Sequence, residues 1–205
     1  MFRKIFILGV AVLTILVISV SEAAQTGSND SPTLVIKSMI KEVFDILNRS
    51  CSQGHSIRAH RNELFDVASR YVDLDEVAPR VVGPSWREQS REAQEEFKKL
   101  FREMVFMNYS DRLERFACEE ERVSYEGEEV QGNIARVRTR IESPRQGEAV
   151  IEYRLKKKPT GWKIYDVVVE GISMVQNYRS QFSEILQKQS FAQMLDILRN
   201  KVGTP

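Results

Sequence analysis

Between residues 134 and 156 apolar side chains recur at every second position, and on either side of that block they recur at every third or fourth. A period of two between two blocks of helical period requires a sheet flanked by helices, which is an α+β arrangement. In IARVRTRIE (134–142), Ala135, Val137, Thr139 and Ile141 share one face, opposite Arg136, Arg138 and Arg140. EAVIEYRLK (148–156) repeats the pattern, with Ala149, Ile151, Tyr153 and Leu155 inward. SPRQG (143–147) reads as a hairpin loop and KPTG (158–161) as the next turn, before the apolar strand GWKIYDVVV. A weaker strand at about 121–126, closed by the turn residues Glu126-Gly127, precedes them. The expectation is a four-stranded antiparallel sheet covered on one face by helices.

The flanking helices carry their own start and stop chemistry. Ser31-Pro32 supplies an N-cap and a first-turn proline, and Leu34, Val35, Met39, Ile40, Val43, Phe44 and Leu47 predict a helix over 32–48. NRSCSQGHS (48–56) reads as a loop, and a second helix follows over about 58–71. Asp73 and Glu76 form a capping-box pair for a short helix carrying Leu74 and Val77. After Gly83-Pro84, Ser90 caps the longest helix, with Ala93, Phe97, Leu100, Phe101, Met104, Val105 and Tyr109 on one face. Glu92, Glu95, Glu96, Lys99 and Arg102 occupy the opposite face. Beyond the sheet, Ser173 with Gln176 and Ser190 with Gln193 open two C-terminal helices, the last ended by Gly203.

Residues 1–23 read as a secretory signal peptide: Arg3 and Lys4, an apolar run from Ile5 to Val20, then the cleavage pattern Ser21-Glu22-Ala23. The alternative is a retained anchor, since about 16 apolar residues approach the roughly 17 that span a bilayer. A short polar segment (24–31) separates this region from a single domain over 32–205. Cleavage removes two of the 30 basic and one of the 29 acidic residues, leaving 28 of each. A chain so balanced argues against nucleic acid as a partner. Export to an oxidising compartment permits a disulfide between Cys51 and Cys118, and their spacing matches no metal motif.

The usual catalytic signatures are missing: no Gly-rich phosphate loop, HExxH, CxxC or serine elbow occurs. His55 and His60 read as surface residues of a polar loop. Asp166 and Glu170 share a strand face but have no companion base, so the chain reads as a non-enzyme without cofactor or metal. The stripe Arg136, Arg138, Arg140, Arg154 and Lys156–Lys158 reads as the solvated back of the sheet, balanced by Glu142, Glu148 and Glu152. Its sharper alternative is a docking face for an acidic partner or anionic headgroups.

GWKIYDVVVEGISMVQNYRSQF (161–182) resembles the signature segment of the MlaC, or toluene-tolerance auxiliary, family. The matching positions are Gly161-Trp162-Lys163, Tyr165-Asp166, Glu170-Gly171, Ser173, Asn177-Tyr178-Arg179 and Phe182. Val82-Gly83-Pro84-Ser85-Trp86 is similar to the family's LG-x-x-W, and Phe97, Phe101 and Tyr109 follow as in its F-x-x-x-F…Y run. The resemblance spans roughly 33–200. Val82 replaces the usual Leu, SREAQEEF stands where SPEQR-type segments are common, and neither cysteine has a counterpart in the family pattern.

That family comprises periplasmic phospholipid-binding components of the Mla ABC transport system. The resemblance therefore implies an NTF2-like cone that carries phospholipid as cargo, tails between sheet and helices and headgroup outside. It further implies an inner-membrane ABC transporter complex, with a lipid-binding ring protein, and an outer-membrane lipoprotein complex as partners. On this reading the lipid-binding residues are Val137, Ile141, Ile151 and Tyr153 from the hairpin, and Ile164, Val168 and Ile172 from the signature strand. Phe97, Phe101 and Met104 form the helical wall, with Tyr178 and Phe182 as its movable side. Two chains of about 16 carbons lose on the order of 25 kcal/mol on entering water, at about 0.8 kcal/mol per methylene, so crossing the periplasm requires a carrier. A carrier of another lipid such as a hopanoid stays open, as does a small-molecule isomerase on a similar cone, which needs a buried base.

Overall fold

A computed structural model describes residues 31–116, 122–144 and 147–203, with side chains of 114–116 left aside. The expected signal peptide and Cys118 lie outside the described residues. Cys51 is disulfide-bonded.

Four helices come first: α1 (Pro32–Gln53), α2 (Arg61–Tyr71), α3 (Leu74–Val82) and α4 (Arg91–Phe116). An antiparallel meander follows, β1 (Arg122–Gln131), β2 (Ile134–Ser143), β3 (Gly147–Lys158), β4 (Gly161–Val169) and the two-residue β5 (Ile172–Ser173). The described chain closes with α5 (Met174–Lys188) and α6 (Phe191–Gly203). The α+β order and the helix-covered sheet agree with the expectation; β5 is an addition of one short strand.

Two boundaries differ. α1 runs through the polar segment to Gln53, because Gly54 at φ 64° takes the left-handed cap and its N–H reaches Cys51 and Ser50 carbonyls. Ser50 Oγ donates to the His55 carbonyl at 2.6 Å and closes the turn from inside. β1 does not end at Glu126-Gly127. The register shifts there, so Glu126 is the extra residue of a bulge, and the strand continues to a turn at Gly132-Asn133.

The caps follow the sequence with one exception. Glu76 N–H donates to Asp73 at 3.1 Å and Gln176 N–H to Ser173 Oγ at 3.1 Å, and Ser190 with Gln193 forms both bonds of a capping box. Ser31 is different: its hydroxyl donates to Glu128 of β1 at 2.9 Å, and the same carboxylate accepts from Thr33 N–H at 2.7 Å. The start of α1 is therefore capped from the sheet, which ties the two layers together.

Three apolar clusters hold the layers. Ile36 and Ile40 of α1 pack on Ala135, Val137, Tyr153, Leu155, Trp162 and Ile164 of the sheet. Phe97, Phe101, Tyr178, Phe182, Phe191 and Met194 join α4, α5 and α6, while Ile46, Leu47, Ile57, Leu64 and Val67 join α1 to α2. On the opposite sheet face the arginine stripe is largely paired, Arg140 with Glu126 and Glu148, and Arg154 with Glu152 and Asp166. Arg136 and Arg138 of β2 are exposed, so this part of the face is charge-balanced and solvated as expected, whereas towards β4 it is covered: Lys156 and Lys158 meet Glu76 of α3, and Asp166 is buried against the start of α5.

Glu76 of α3 accepts from Lys156 (2.9 Å) and Lys158 (3.2 Å) of β3, and from Arg80. Burial raises its pKa, but these bonds outweigh burial and bring it from 4.5 down to about 2. A carboxyl held low in the folded chain stabilises above its ordinary pKa and loses that contribution as pH falls through the folded value. The stability gap between the wild type and Glu76→Gln, followed by urea denaturation, is expected to be full at pH 7 and to close between pH 4.5 and about 2.

Candidate functional site

β4 carries a second bulge, and it decides which side chains face the helices. Leu155 pairs with Ile164 and Arg154 with Asp166, which leaves Tyr165 as an extra residue. Before the bulge Trp162 and Ile164 share the face of Leu155. Beyond it Val167, paired with Tyr153, takes that face, and Val168, paired with Glu152, takes the other. On the free edge of β4, Val72 makes a parallel bridge to Ile164, and Asp73 N–H donates to the Ile164 carbonyl at 2.9 Å.

Here the helices do not close on the strand. A cavity of about 390 Å³ remains, its walls almost wholly apolar. It is lined by Met39 and Val43 of α1, Leu64, Phe65, Val67 and Ala68 of α2, and Leu74 and Val77 of α3. Phe101, Val105, Phe106, Tyr109 and Leu113 of α4, Met174, Val175 and Tyr178 of α5, and Ile164 to Val167 of β4 complete the lining. Its volume lies within the roughly 300–1,000 Å³ of ligand pockets. Phe65 meets Phe106 edge-on with ring centres 5.5 Å apart. Asn108 donates to the Tyr178 hydroxyl at 3.1 Å, and burial raises that phenol's pKa.

Of the twelve residues expected to bind ligand, Phe101, Ile164 and Tyr178 line this cavity. Phe97, Met104 and Phe182 are buried in the core that joins α4, α5 and α6, and Val137, Tyr153 and Ile151 pack under α1. Ile141 is half-buried outside both clusters. Val168 is buried on the opposite sheet face, turned there by the Tyr165 bulge. Ile172 is 66% exposed, because it follows the tight turn at Glu170-Gly171 and points out from the short β5. Arg102, expected on the solvent face of α4, instead sits in the cavity wall with its guanidinium 4.4 Å from the Phe65 ring centre. Sequence spacing did put several lining residues on shared faces, Met39 and Val43 on α1, Leu64, Phe65 and Ala68 on α2, and Phe101, Val105 and Tyr109 on α4, without distinguishing cavity wall from core.

Asp166, considered above as an acid–base candidate, has a structural role. It is 5% exposed and accepts from Ser173 Oγ (2.7 Å), Val175 N–H (3.0 Å) and Arg154 (3.1 Å), which fixes the start of α5 against β4. Asp166→Ala, which strips all three donors of their acceptor, is expected to cost about 2–4 kcal/mol in urea denaturation. Asp166→Asn, which keeps an acceptor oxygen, costs less. Glu170 sits at φ 49° beside Gly171 at φ 79°, the pairing of a primed hairpin turn, and accepts from Val150 N–H at 2.7 Å. Arg179 donates to the Arg80 carbonyl at 2.9 Å, and its guanidinium lies where a Cβ on Gly83 would be, so the GPSW and NYR segments meet there. His60 is buried rather than on the surface, and no group of metal-ligating side chains occurs among the described residues.

The sequence model of the MlaC protein family matches residues 37–200. The chain belongs to the MlaC family. Among MlaC relatives, the intermembrane phospholipid transport system binding protein of Haemophilus influenzae is 23% identical over 210 residues, covering 99% of this chain and 95% of its own length. The phospholipid-binding protein of Ralstonia solanacearum, solved in complex with a phospholipid, superposes with a TM-score of 0.75 at 18% identity. That alignment covers 84% of this chain and 97% of the other, and it shows a shared fold. MlaC proteins are carriers without catalytic chemistry; Asp166, the one carboxylate among the described residues lining the cavity, is engaged by Ser173, Val175 and Arg154.

Proposed function

We propose that this protein is a periplasmic phospholipid carrier whose cavity between α2, α4, α5 and β4 holds acyl tails. The observation that carries the reading is an almost wholly apolar cavity in a chain of the MlaC family. Apolar walls return to a tail what it loses in water, about 0.8 kcal/mol per buried methylene, so exchange with a membrane is nearly balanced. Direction then comes from partners, which on this reading are an inner-membrane ABC transporter complex and an outer-membrane lipoprotein complex.

The test is loading from a membrane. Lipid-free protein is incubated with phospholipid vesicles, separated from them, and its bound phosphorus measured. Near one phosphorus per chain supports the carrier; a chain that stays lipid-free contradicts it.

A further inference from the structure

Beside the apolar cavity lies a second, polar cleft of about 580 Å³. Ser69, Val72, Leu74 and Arg102 line both, so the two spaces share a wall. The cleft gathers five cations, Lys98, Lys99, Arg102, Lys158 and Lys163, against Asp73, Asp75 and Glu95. Two of the five are committed: Lys98 to Asp75 and Glu95 at 2.6 Å each, and Lys158 to Asp73 at 2.7 Å. Lys99, Arg102 and Lys163 take part in no ion pair among the described residues. Lys163 donates to the Arg70 carbonyl, and Lys99 is exposed at the rim.

Arg102 is the decisive group. Its Nε is buried without a hydrogen-bond partner among the described residues, while its guanidinium is held over Phe65 in the shared wall. An unpaired buried donor on a cation costs stability, and a planar fork fixed by stacking suits a bidentate oxyanion. Apolar residues line the cavity side of this wall, and on the cleft side five cations outnumber three carboxylates, which matches a molecule with a greasy tail joined to an anionic phosphate.

We infer that Arg102, with Lys99 and Lys163, binds the phosphate of the cargo lipid in this cleft while the tails occupy the cavity. The inference rests on the carrier reading above and adds to it: the phosphate is read and the alcohol beyond it is not. Phosphate-free lipids of the same tails are then poor cargo.

The test compares phosphatidylglycerol with diacylglycerol of identical acyl chains, each loaded from vesicles onto the full mature chain, and reads the ratio between them. The wild type is expected to favour the phospholipid by at least about tenfold, the worth of one hydrogen bond to a charged group. Arg102→Gln is expected to bring the ratio to within about threefold of unity, whatever its absolute loading. Because Arg102 also packs on Phe65, the double variant Lys99→Gln/Lys163→Gln provides a second reading and is expected to lower the ratio with little change in Tm. Equal loading of both lipids by the wild type, or an unchanged ratio in both variants, overturns the inference alone. Inorganic phosphate that displaces the lipid at equal concentration shows a site for the free anion and also overturns it. A wild-type chain that loads neither lipid overturns the carrier reading, and this inference with it.

Discussion

Ala68→Trp is expected to abolish lipid loading while leaving the fold in place. Ala68 lies on α2 in the cavity wall and is only half-buried, so an indole at this position grows into existing space. Overpacking a closed core costs about 1–3 kcal/mol, but a side chain that enters a cavity of this size meets little resistance. The expected change in unfolding free energy is therefore within about 1.5 kcal/mol. Bound phosphorus per chain is expected to fall at least about tenfold, since tails are excluded from the volume they need. Wild-type loading in this variant would place the tails elsewhere.

Phe97→Ala is expected to do the reverse, removing stability at a residue that does not line the cavity. Phe97 is fully buried, and its ring meets those of Trp86, Phe101, Phe182 and Phe191 at centre distances of 5.7, 5.7, 5.4 and 6.0 Å. Truncation leaves a void where α4, α5 and α6 meet and costs about 3–5 kcal/mol. Urea denaturation measures this directly. A loss below about 1 kcal/mol would mean that the region repacks around the gap, contrary to the dense ring cluster described here.

The contrast between these two positions shows where the sequence was legible. Period, caps and turn residues located nearly every element, because each depends on local chemistry: Ser173, Ser190 and Asp73 cap the helices they were expected to cap. Two bulges were not legible. Glu126 and Tyr165 each insert one residue, and a single insertion inverts every later side chain of a strand, which is how Val168 came to the wrong face. The capping of α1 by Glu128 was equally hidden, since it joins residues 95 apart in the chain.

The candidate site was harder to read for a different reason. Residues that fill a core and residues that line a cavity are both apolar and share the same periodicity. What separates them is whether facing elements close, and that depends on packing across five helices and a strand. Phe97 and Phe101 stand one turn apart on α4, yet Phe101 alone reaches the cavity. Arg102 carried the opposite ambiguity. Its place in the pattern put it in solvent, and only the position of Phe65 on α2 draws it inward.

The most direct measurement is the native mass of the protein purified without detergent from its exported form, followed by solvent extraction. A carrier with tails in this cavity predicts an adduct of phospholipid mass, near one per chain, that is absent from Ala68→Trp. A clean mass of the polypeptide alone, unchanged after incubation with phospholipid vesicles, would contradict the account and leave the cavity without cargo.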